Sequence, residues 1–317
     1  MSGSTLLNIA QANKKDEFYT QIEDIEKELV YYKPHFKGKT VYCNCDDPSS
    51  SSFALFFKRH FHEYGLLRLV CTCYAPTEAN LFNGERHLHG TKMVFTGDDE
   101  TAETCLMNGD GDFRSNESVT LLDEADIVVT NPPFSLFREF IGQMVRHGKQ
   151  FLVIGNVNAV SYKECFDLIK DGRIWLGRSI HSGDREFRVP DDYPLHASGF
   201  RVDEEGNKYI RVKGVRWFTN MEYEGCHSDL PLTAFYEKEL YPKFDNIDAI
   251  NVGKTRNIPS DYYGLMGVPI TFIDKFNPRQ FEIVGNEYSL GVPGGRCYLG
   301  GKRMYSRIFI RKKSSTN

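Results

Sequence analysis

The sharpest chemical signal in this 317-residue chain is Asn131-Pro132-Pro133-Phe134. Proline locks φ and carries no N–H, so two in succession stiffen the backbone and remove two donors. Such an elbow presents carbonyl oxygen, the Asn131 side chain and the Phe134 ring. That set suits a planar group carrying N–H donors, and the exocyclic amine of a purine satisfies it. The Asn131 side-chain oxygen and the Pro132 carbonyl would each accept one amino hydrogen, and Phe134 would stack on the ring. Read alone, the same residues are a rigid turn between a strand and a helix. Three further polar signals accompany them: Asp46/Asp47, Cys73/Tyr74 and Asp112/Phe113.

A frame must bring these groups together. Phe18, Ile22, Ile25 and Leu29 recur on one helical face and predict a helix over 14–33. Lys39–Cys45 reads as a strand, followed by a serine-rich turn with good N-cap chemistry. A helix then gathers Phe53, Phe56, Phe57, His60, Phe61 and Tyr64, and Leu66–Tyr74 is the next strand. Short strands are expected at Met93–Thr96 and Thr104–Met107, and a helix at Ser115–Glu124. The apolar run Ala125–Thr130 is a buried-type strand that the two prolines stop. Ser135 is expected to cap a helix striped by Leu136, Phe137, Phe140, Ile141, Met144 and Val145; strand Phe151–Val157 and helix Tyr162–Lys170 follow. This alternation predicts an α/β fold with a parallel sheet and crossover helices. Open α/β sheets bind ligands beyond the carboxyl ends of their strands, where all four polar signals fall.

After about residue 172 the pattern changes. Ile174–Leu176, Tyr209–Val212 and Val215–Thr219 read as strands between Gly-rich turns, and 226–317 reads as loop- and β-rich.

Hydrophobic residues make up 40% and charged residues 26%, which excludes a mainly disordered chain and a coiled-coil rod. No apolar run is long enough to span a membrane, and the first residues do not read as a signal peptide. The formal charge of −4 argues against a surface coated in nucleic acid, so DNA binding would need a local basic patch. One lies at the end, where Arg296, Lys302, Arg303, Arg307, Arg311, Lys312 and Lys313 occur without an acidic residue; a solvated tail would look the same. The C-x-C pairs Cys43/Cys45 and Cys71/Cys73 lack the C-x2-4-C spacing of zinc sites, so no metal is expected and the eight cysteines read as thiols of a reducing compartment.

Asn131–Phe134 resembles motif IV of the amino-group DNA methyltransferases that use S-adenosylmethionine, and Ala125 to Phe140 resembles the EcoRI-type adenine-specific group in particular. Asp16-Glu17-Phe18-Tyr19-Thr20 resembles motif X placed before motif I, Asp47-Pro48 stands at motif I, Gly109–Ser115 resembles motif III, and Gly267–Pro278 also looks familial. The likeness covers roughly 14–285. Ser49 to Ser52 replace the usual motif I glycines, and Cys73 and Tyr74 stand where the family carries an acidic ribose ligand.

The resemblance implies a Rossmann-like class I methyltransferase sheet with helices on both faces, plus a loop- and β-rich C-terminal recognition region. It implies a catalytic domain over 1–225 and a target-recognition, DNA-binding region over 226–317. Asn131, Pro132, Pro133 and Phe134 would grip the target base. Tyr19, Thr20, Asp47 and Pro48 would hold the methionine end of the cofactor, and Asp112 and Phe113 its adenine. Trp217 or Phe218 would stack on the second face of the base, and Arg256, Arg279, Arg296 and Arg303 would contact guanines or phosphates. The implied reaction is transfer of a methyl group to the N6 of an adenine flipped out of double-stranded DNA. The implied setting is the cytoplasm of a bacterial cell or phage-infected host, with a monomeric enzyme and a cognate restriction endonuclease as partner. RNA adenine methylation, protein glutamine methylation and a non-catalytic DNA- or adenosyl-binding role are the rival readings.

Overall fold

The computed structural model describes residues 20–75, 78–80, 84–86, 89–98, 102–181, 183–189 and 200–314. The expected helix residues 14–19, and Tyr19 with them, lie outside the described residues. The chain clusters into two units, Met1–Ala159 with Gly177–Tyr223, and Val160–Leu176 with Glu224–Asn317. The excursion of Val160–Leu176 into the second unit has no counterpart in a division at 225/226.

In the first unit, α1 (Ile22–Leu29) precedes β1 (Thr40–Cys43). The predicted long helix is broken: a 3-10 turn at Val30–Tyr32 leads into a separate turn of helix at Lys33–Phe36. Pro34 is the reason, because proline is accepted in a helix's first turn and not in its interior. Then come α2 (Ser52–Arg59), β2 (Arg68–Cys73), β3 (Thr91–Phe95), β4 (Glu103–Leu106), α3 (Asn116–Glu124), β5 (Ile127–Thr130), α4 (Phe137–Arg146) and β6 (Gln150–Asn156). A small antiparallel sheet of β7 (Asp184–Val189), β8 (Arg201–Val202) and β9 (Lys208–Lys213) follows, and β10 (Val215–Thr219) closes the unit.

Within this unit the large sheet runs β4-β3-β2-β1-β5-β6-β10. The four central strands, β2, β1, β5 and β6, are parallel. Strands β3, β4 and β10 are antiparallel to their neighbours, so the expected parallel arrangement describes the central strands of a mixed sheet. Parallel neighbours need a crossover, usually helical. Helix α2 supplies one between β1 and β2, whereas the described residues between β2 and β3 include the small hairpin Glu78–Asn80/Gly84–Arg86 and no helix. Strand β1 has β2 on one side and β5 on the other. The crevice beyond the carboxyl ends of β1 and β5 is therefore the topological switch point of the parallel core.

Buried strands and helix stripes explain the packing. β1 and β5 are buried at every position, as are all five residues of β10. Phe53, Phe56 and Phe57 of α2 enter one continuous core with Leu69, Ile127, Leu152 and Trp217. The carboxyl group of Glu28 is buried with them. Glu28 is 0% exposed, and its carboxylate accepts from the N–H groups of Arg178 (2.7 Å) and Ser179 (2.6 Å) and from the Tyr32 hydroxyl (2.9 Å). Burial raises its pKa, and these donors oppose the rise.

The second unit contains α5 (Lys163–Lys170) and a four-stranded sheet of β11 (Ile250–Asn251), β12 (Met266–Pro269), β13 (Phe281–Asn286) and β16 (Arg307–Lys312), in the order β11-β12-β16-β13. β14 (Tyr298–Leu299) and β15 (Lys302–Arg303) form a separate ribbon. Most of this unit is loop, and its small core gathers Phe244, Ala249, Val292, Cys297 and Phe309. No helix among the described residues is long and apolar enough to cross a membrane.

Candidate active site

The elbow leaves the carboxyl end of β5. Pro133 is extended (φ −53°, ψ 123°), and its carbonyl accepts the Leu136 N–H at 3.0 Å, closing a 3-10 turn over Phe134–Leu136. Helix α4 then starts at Phe137. Its N-cap position is Leu136, with no side-chain cap, so Ser135 lies inside the turn rather than capping the helix. The 3-10 turn closed on the Pro133 carbonyl occupies Phe134–Leu136, so the α-helix begins after it. Helix α4 is seated on the sheet by Phe137, which lies 5.0 Å from Phe218 and fills the space left by the missing side chain of Gly155.

Asn131 and Phe134 are half-buried and Pro132 is buried. The Asn131 Nδ2 donates to Thr20 Oγ1 at 3.3 Å. In this orientation Oδ1 is the acceptor end of the amide. Thr20 is 5% exposed, so the last residue of the motif X stretch meets the first residue of the elbow.

The turn after β1 is held by two aspartates. Asp47 Oδ1 gathers the Ser49 N–H (2.7 Å), the Ser49 hydroxyl (2.5 Å) and the Ser50 N–H (3.1 Å). Partial burial opposes its ionisation, but these donors together hold its pKa below the usual carboxylate range. The serines thus replace glycine by tying their donors to Asp47. Pro48 sits half-buried in the same turn. Ser51 N-caps α2, accepting from the Phe53 N–H at 3.1 Å. Asp46 is 7% exposed; it accepts from Ser51 Oγ at 2.6 Å and from Thr130 Oγ1 at 2.5 Å. Burial pushes its pKa up to about 6 against those two hydrogen bonds.

The third cluster is the loop 108–115. Its backbone is stitched to the end of β2, where the Ala75 N–H donates to the Asp110 carbonyl at 2.7 Å. Gly111 (φ +82°) and Gly90 pack on each other and on the Cys73 carbonyl so closely that a Cβ on either would collide with backbone. Asp112 is gripped by Arg114: Nε reaches Oδ1 at 2.9 Å and Nη2 reaches Oδ2 at 2.6 Å. Burial opposes ionisation of Asp112, but this fork holds its pKa below the usual range. Arg114 also reaches Glu139 of α4 at 3.2 Å. Phe113 is 4% exposed, edge-on to Phe140 at 5.2 Å, with the Arg114 guanidinium 5.4 Å from its ring centre.

The expectation for Trp217 and Phe218 needs correction. Trp217 and Phe218 are both 0% exposed, Trp217 edge-on to Phe53 and Phe218 against Phe137. Strand β10 is buried on both faces, so neither ring has a free face for a base. The four arginines belong to the second unit. Arg256, Arg279 and Arg303 are exposed. Arg296 is half-buried; it donates to the Tyr288 hydroxyl at 3.0 Å and sits over that ring. It borders a cavity of about 120 Å³ also lined by Phe166, Ile270, Glu287, Tyr288 and Arg307.

Sequence reasoning missed three contacts: Thr20 with Asn131, Asp46 with Thr130, and Asp112 with Arg114. A hydroxyl at the end of an otherwise apolar strand, directly before the elbow, was the available signal for Thr130. All eight cysteines are free thiols. Among the described residues no group of three or more His, Cys, Asp or Glu side chains is placed to hold a metal.

A parallel α/β core, an Asn-Pro-Pro-Phe elbow at its switch point and an acidic loop beside it define a methyltransferase that acts on an amino group. The chain belongs to the family described as adenine-specific methyltransferase EcoRI, which it matches over residues 6–313. It is 47% identical over 319 residues to the Type II methyltransferase M.EcoRI of Escherichia coli, covering 97% of this chain and 96% of that protein. It is 37% identical to the Type II methyltransferase M.MpnI of Mycoplasma pneumoniae, covering 97% and 98%. M.MgeORF184P of Mycoplasma genitalium is also 37% identical, covering 96% and 98%. No solved structure matches the chain.

Proposed function

We propose that this adenine-specific DNA methyltransferase transfers a methyl group from S-adenosylmethionine to the N6 of an adenine extruded from duplex DNA. The observation that carries the reading is the Asn131–Phe134 elbow at the switch point, with the Asn131 amide oriented by Thr20. In this reading the parallel core is a Rossmann-like class I sheet. The first unit is catalytic, and the loop-rich second unit recognises the target sequence.

The donor set around the switch point fits the cofactor. Its ammonium group and adenine amine need acceptors, and the carboxylates of Asp47 and Asp112 lie at the carboxyl ends of strands of one sheet, with the Thr20 hydroxyl beside the elbow. Tyr19, Thr20, Asp47 and Pro48 would hold the methionine end, and Asp112 and Phe113 the adenine. When bound, the cofactor supplies a methyl group on a sulfonium that departs readily in an in-line displacement.

The chain's own residues do the rest. Adenine N6 is a poor nucleophile because its lone pair is delocalised into the ring. Asn131 Oδ1 and the Pro132 carbonyl accept its two hydrogens, draw them out of plane and stabilise the positive charge that develops on nitrogen. Phe134 offers a ring to the base, and stacking returns about 1–3 kcal/mol against the few kcal/mol of extrusion. The proline-locked backbone fixes both acceptors in advance, and such orientation lowers a barrier by roughly 7–11 kcal/mol. No general base is needed before attack, since the methylated cation is acidic enough to lose its proton afterwards.

Arg256, Arg279, Arg296 and Arg303 would contact guanine edges or phosphates. One flipped base needs one active site, which supports a monomer. The relatives are bacterial proteins named Type II methyltransferases, which supports a cytoplasmic enzyme paired with a restriction endonuclease. The test supplies tritiated methyl donor with duplex DNA, structured RNA or protein extract to wild type and Asn131→Ala. Label on DNA adenine N6, lost in the variant, is expected. Label confined to RNA or protein, or absent everywhere, overturns the reading.

A further inference from the structure

We propose that Asp46 is a positioning residue for methyl transfer: its carboxylate clamps the hydroxyl of Thr130 and thereby fixes the direction in which the Asn131–Phe134 elbow leaves the sheet. This rests on the function proposed above and adds a residue to it.

Asp46 and Thr130 are 84 residues apart and meet at 2.5 Å, one oxygen of the carboxylate on the hydroxyl. The other oxygen takes the Ser51 hydroxyl at 2.6 Å, and Ser51 caps α2. The Asp46 N–H donates to the Thr72 carbonyl of β2 at 2.9 Å. One buried residue thus ties the ends of β2 and β5 to the start of α2, at the crevice where the parallel core divides. Thr130 is 0% exposed and is bonded directly to Asn131 in the chain, so a shift at its Cα moves the elbow.

The cost of the arrangement argues for a purpose. A buried carboxylate without a cationic partner is expensive, and two hydroxyls compensate for only part of it. No salt bridge to Asp46 is formed among the described residues. Packing alone would be served as well by an apolar residue at position 46 with Val at position 130. What the carboxylate adds is direction, since it accepts from both hydroxyls at set angles. A displacement of about 1 Å in a reacting group can cost roughly 100-fold in rate, so a clamp one residue from Asn131 controls catalysis without touching substrate.

The experiment measures kcat, the KM for DNA and cofactor binding for wild type, Thr130→Val, Thr130→Ser, Asp46→Asn and the double variant Asp46→Asn/Thr130→Val. Rates are expressed per cofactor-binding site counted by equilibrium dialysis, below all the melting midpoints, so unfolded protein does not enter. Thr130→Val is expected to lower kcat by ten- to a hundredfold with the KM for DNA nearly unchanged. Thr130→Ser, which keeps the hydroxyl, should recover most of the rate. The double variant should be little slower than the slower single variant, because both substitutions act on the same contact. The inference is overturned if Thr130→Val turns over like wild type, if Ser fails to rescue, or if the two losses multiply. If the wild type methylates no DNA, the proposed function itself fails; an active wild type with an equally active Thr130→Val defeats only the role of Asp46.

Discussion

Asn131 donates its side-chain amide to the hydroxyl of Thr20, 111 residues earlier in the chain. Thr20 stands just before α1, and Asn131 opens the elbow after β5. The bond gives Thr20 a task toward the elbow in addition to any toward the cofactor. Thr20→Val removes the acceptor and lets the amide rotate. We expect kcat to fall about tenfold, the scale of one hydrogen bond to a polar group, with duplex binding retained. Single-turnover methylation alongside a DNA-binding titration checks it.

Arg114 holds the carboxylate of Asp112 from both sides. If Asp112 receives the cofactor's adenine amine, the guanidinium competes with it. Arg114→Ala should then tighten cofactor binding several-fold, whereas Asp112→Ala should weaken it by about tenfold. Isothermal titration of both variants decides the matter, and weakening in both would mean that Arg114 orients Asp112 instead.

Acidity should act through Asp46. Its folded-state pKa of about 6 lies above the ordinary 3.8, so the folded protein favours the protonated form. The penalty for the buried charge is full above pH 6 and disappears as pH falls from about 6 towards 4. With neighbouring Asp47 adding to it, the effect is worth about 3 kcal/mol over the whole window. Relative to Asp46→Asn, wild type should gain stability across that window in urea unfolding. Its kcat should nevertheless fall below pH 6, because a protonated carboxyl no longer accepts from both hydroxyls. A pH–rate profile of Asp46→Asn should lack that limb.

Trp217 and Phe218 should behave as core. Trp217→Ala should cost about 3–5 kcal/mol of stability. Trp217→Phe should lower the melting midpoint yet leave transfer per folded molecule close to wild type. A selective loss of base extrusion, followed with a fluorescent adenine analogue in the duplex, would restore the stacking role.

Among the arginines, the exposed ones should report on phosphate. Arg303→Ala should weaken duplex binding alike for all sequences and reduce the slope of log K against log salt by about 0.9 if it neutralises one phosphate. Filter binding at several salt concentrations measures this.

Local chemistry makes the elbow legible in the order of residues alone. The Pro-Pro pair, the apolar run before it and the amphipathic stripe after it each follow from short-range rules, and the elbow stands where they put it. Ser51 caps its helix because its neighbours leave N–H groups to satisfy. What escaped was long-range. Nothing near Asp46 names Thr130, 84 residues away, as its partner. The antiparallel return of β3 depended on what fills the chain after β2, and that segment carries no helical stripe. Val215–Thr219 is legible as a strand, but a strand covered on both faces looks locally like one with an open face, so its aromatics read as available to a base.

Gly90 and Gly111 rest against the Cys73 carbonyl with no room for a side chain. At this edge the floor of the crevice is main chain, and no substitution can deepen it. If Asp112 receives the cofactor's adenine, donor analogues enlarged on their purine ring should meet an unyielding wall there. Efforts to make the enzyme deliver groups larger than methyl should instead remodel the side chains around Phe134, where the lining can be pared back one residue at a time.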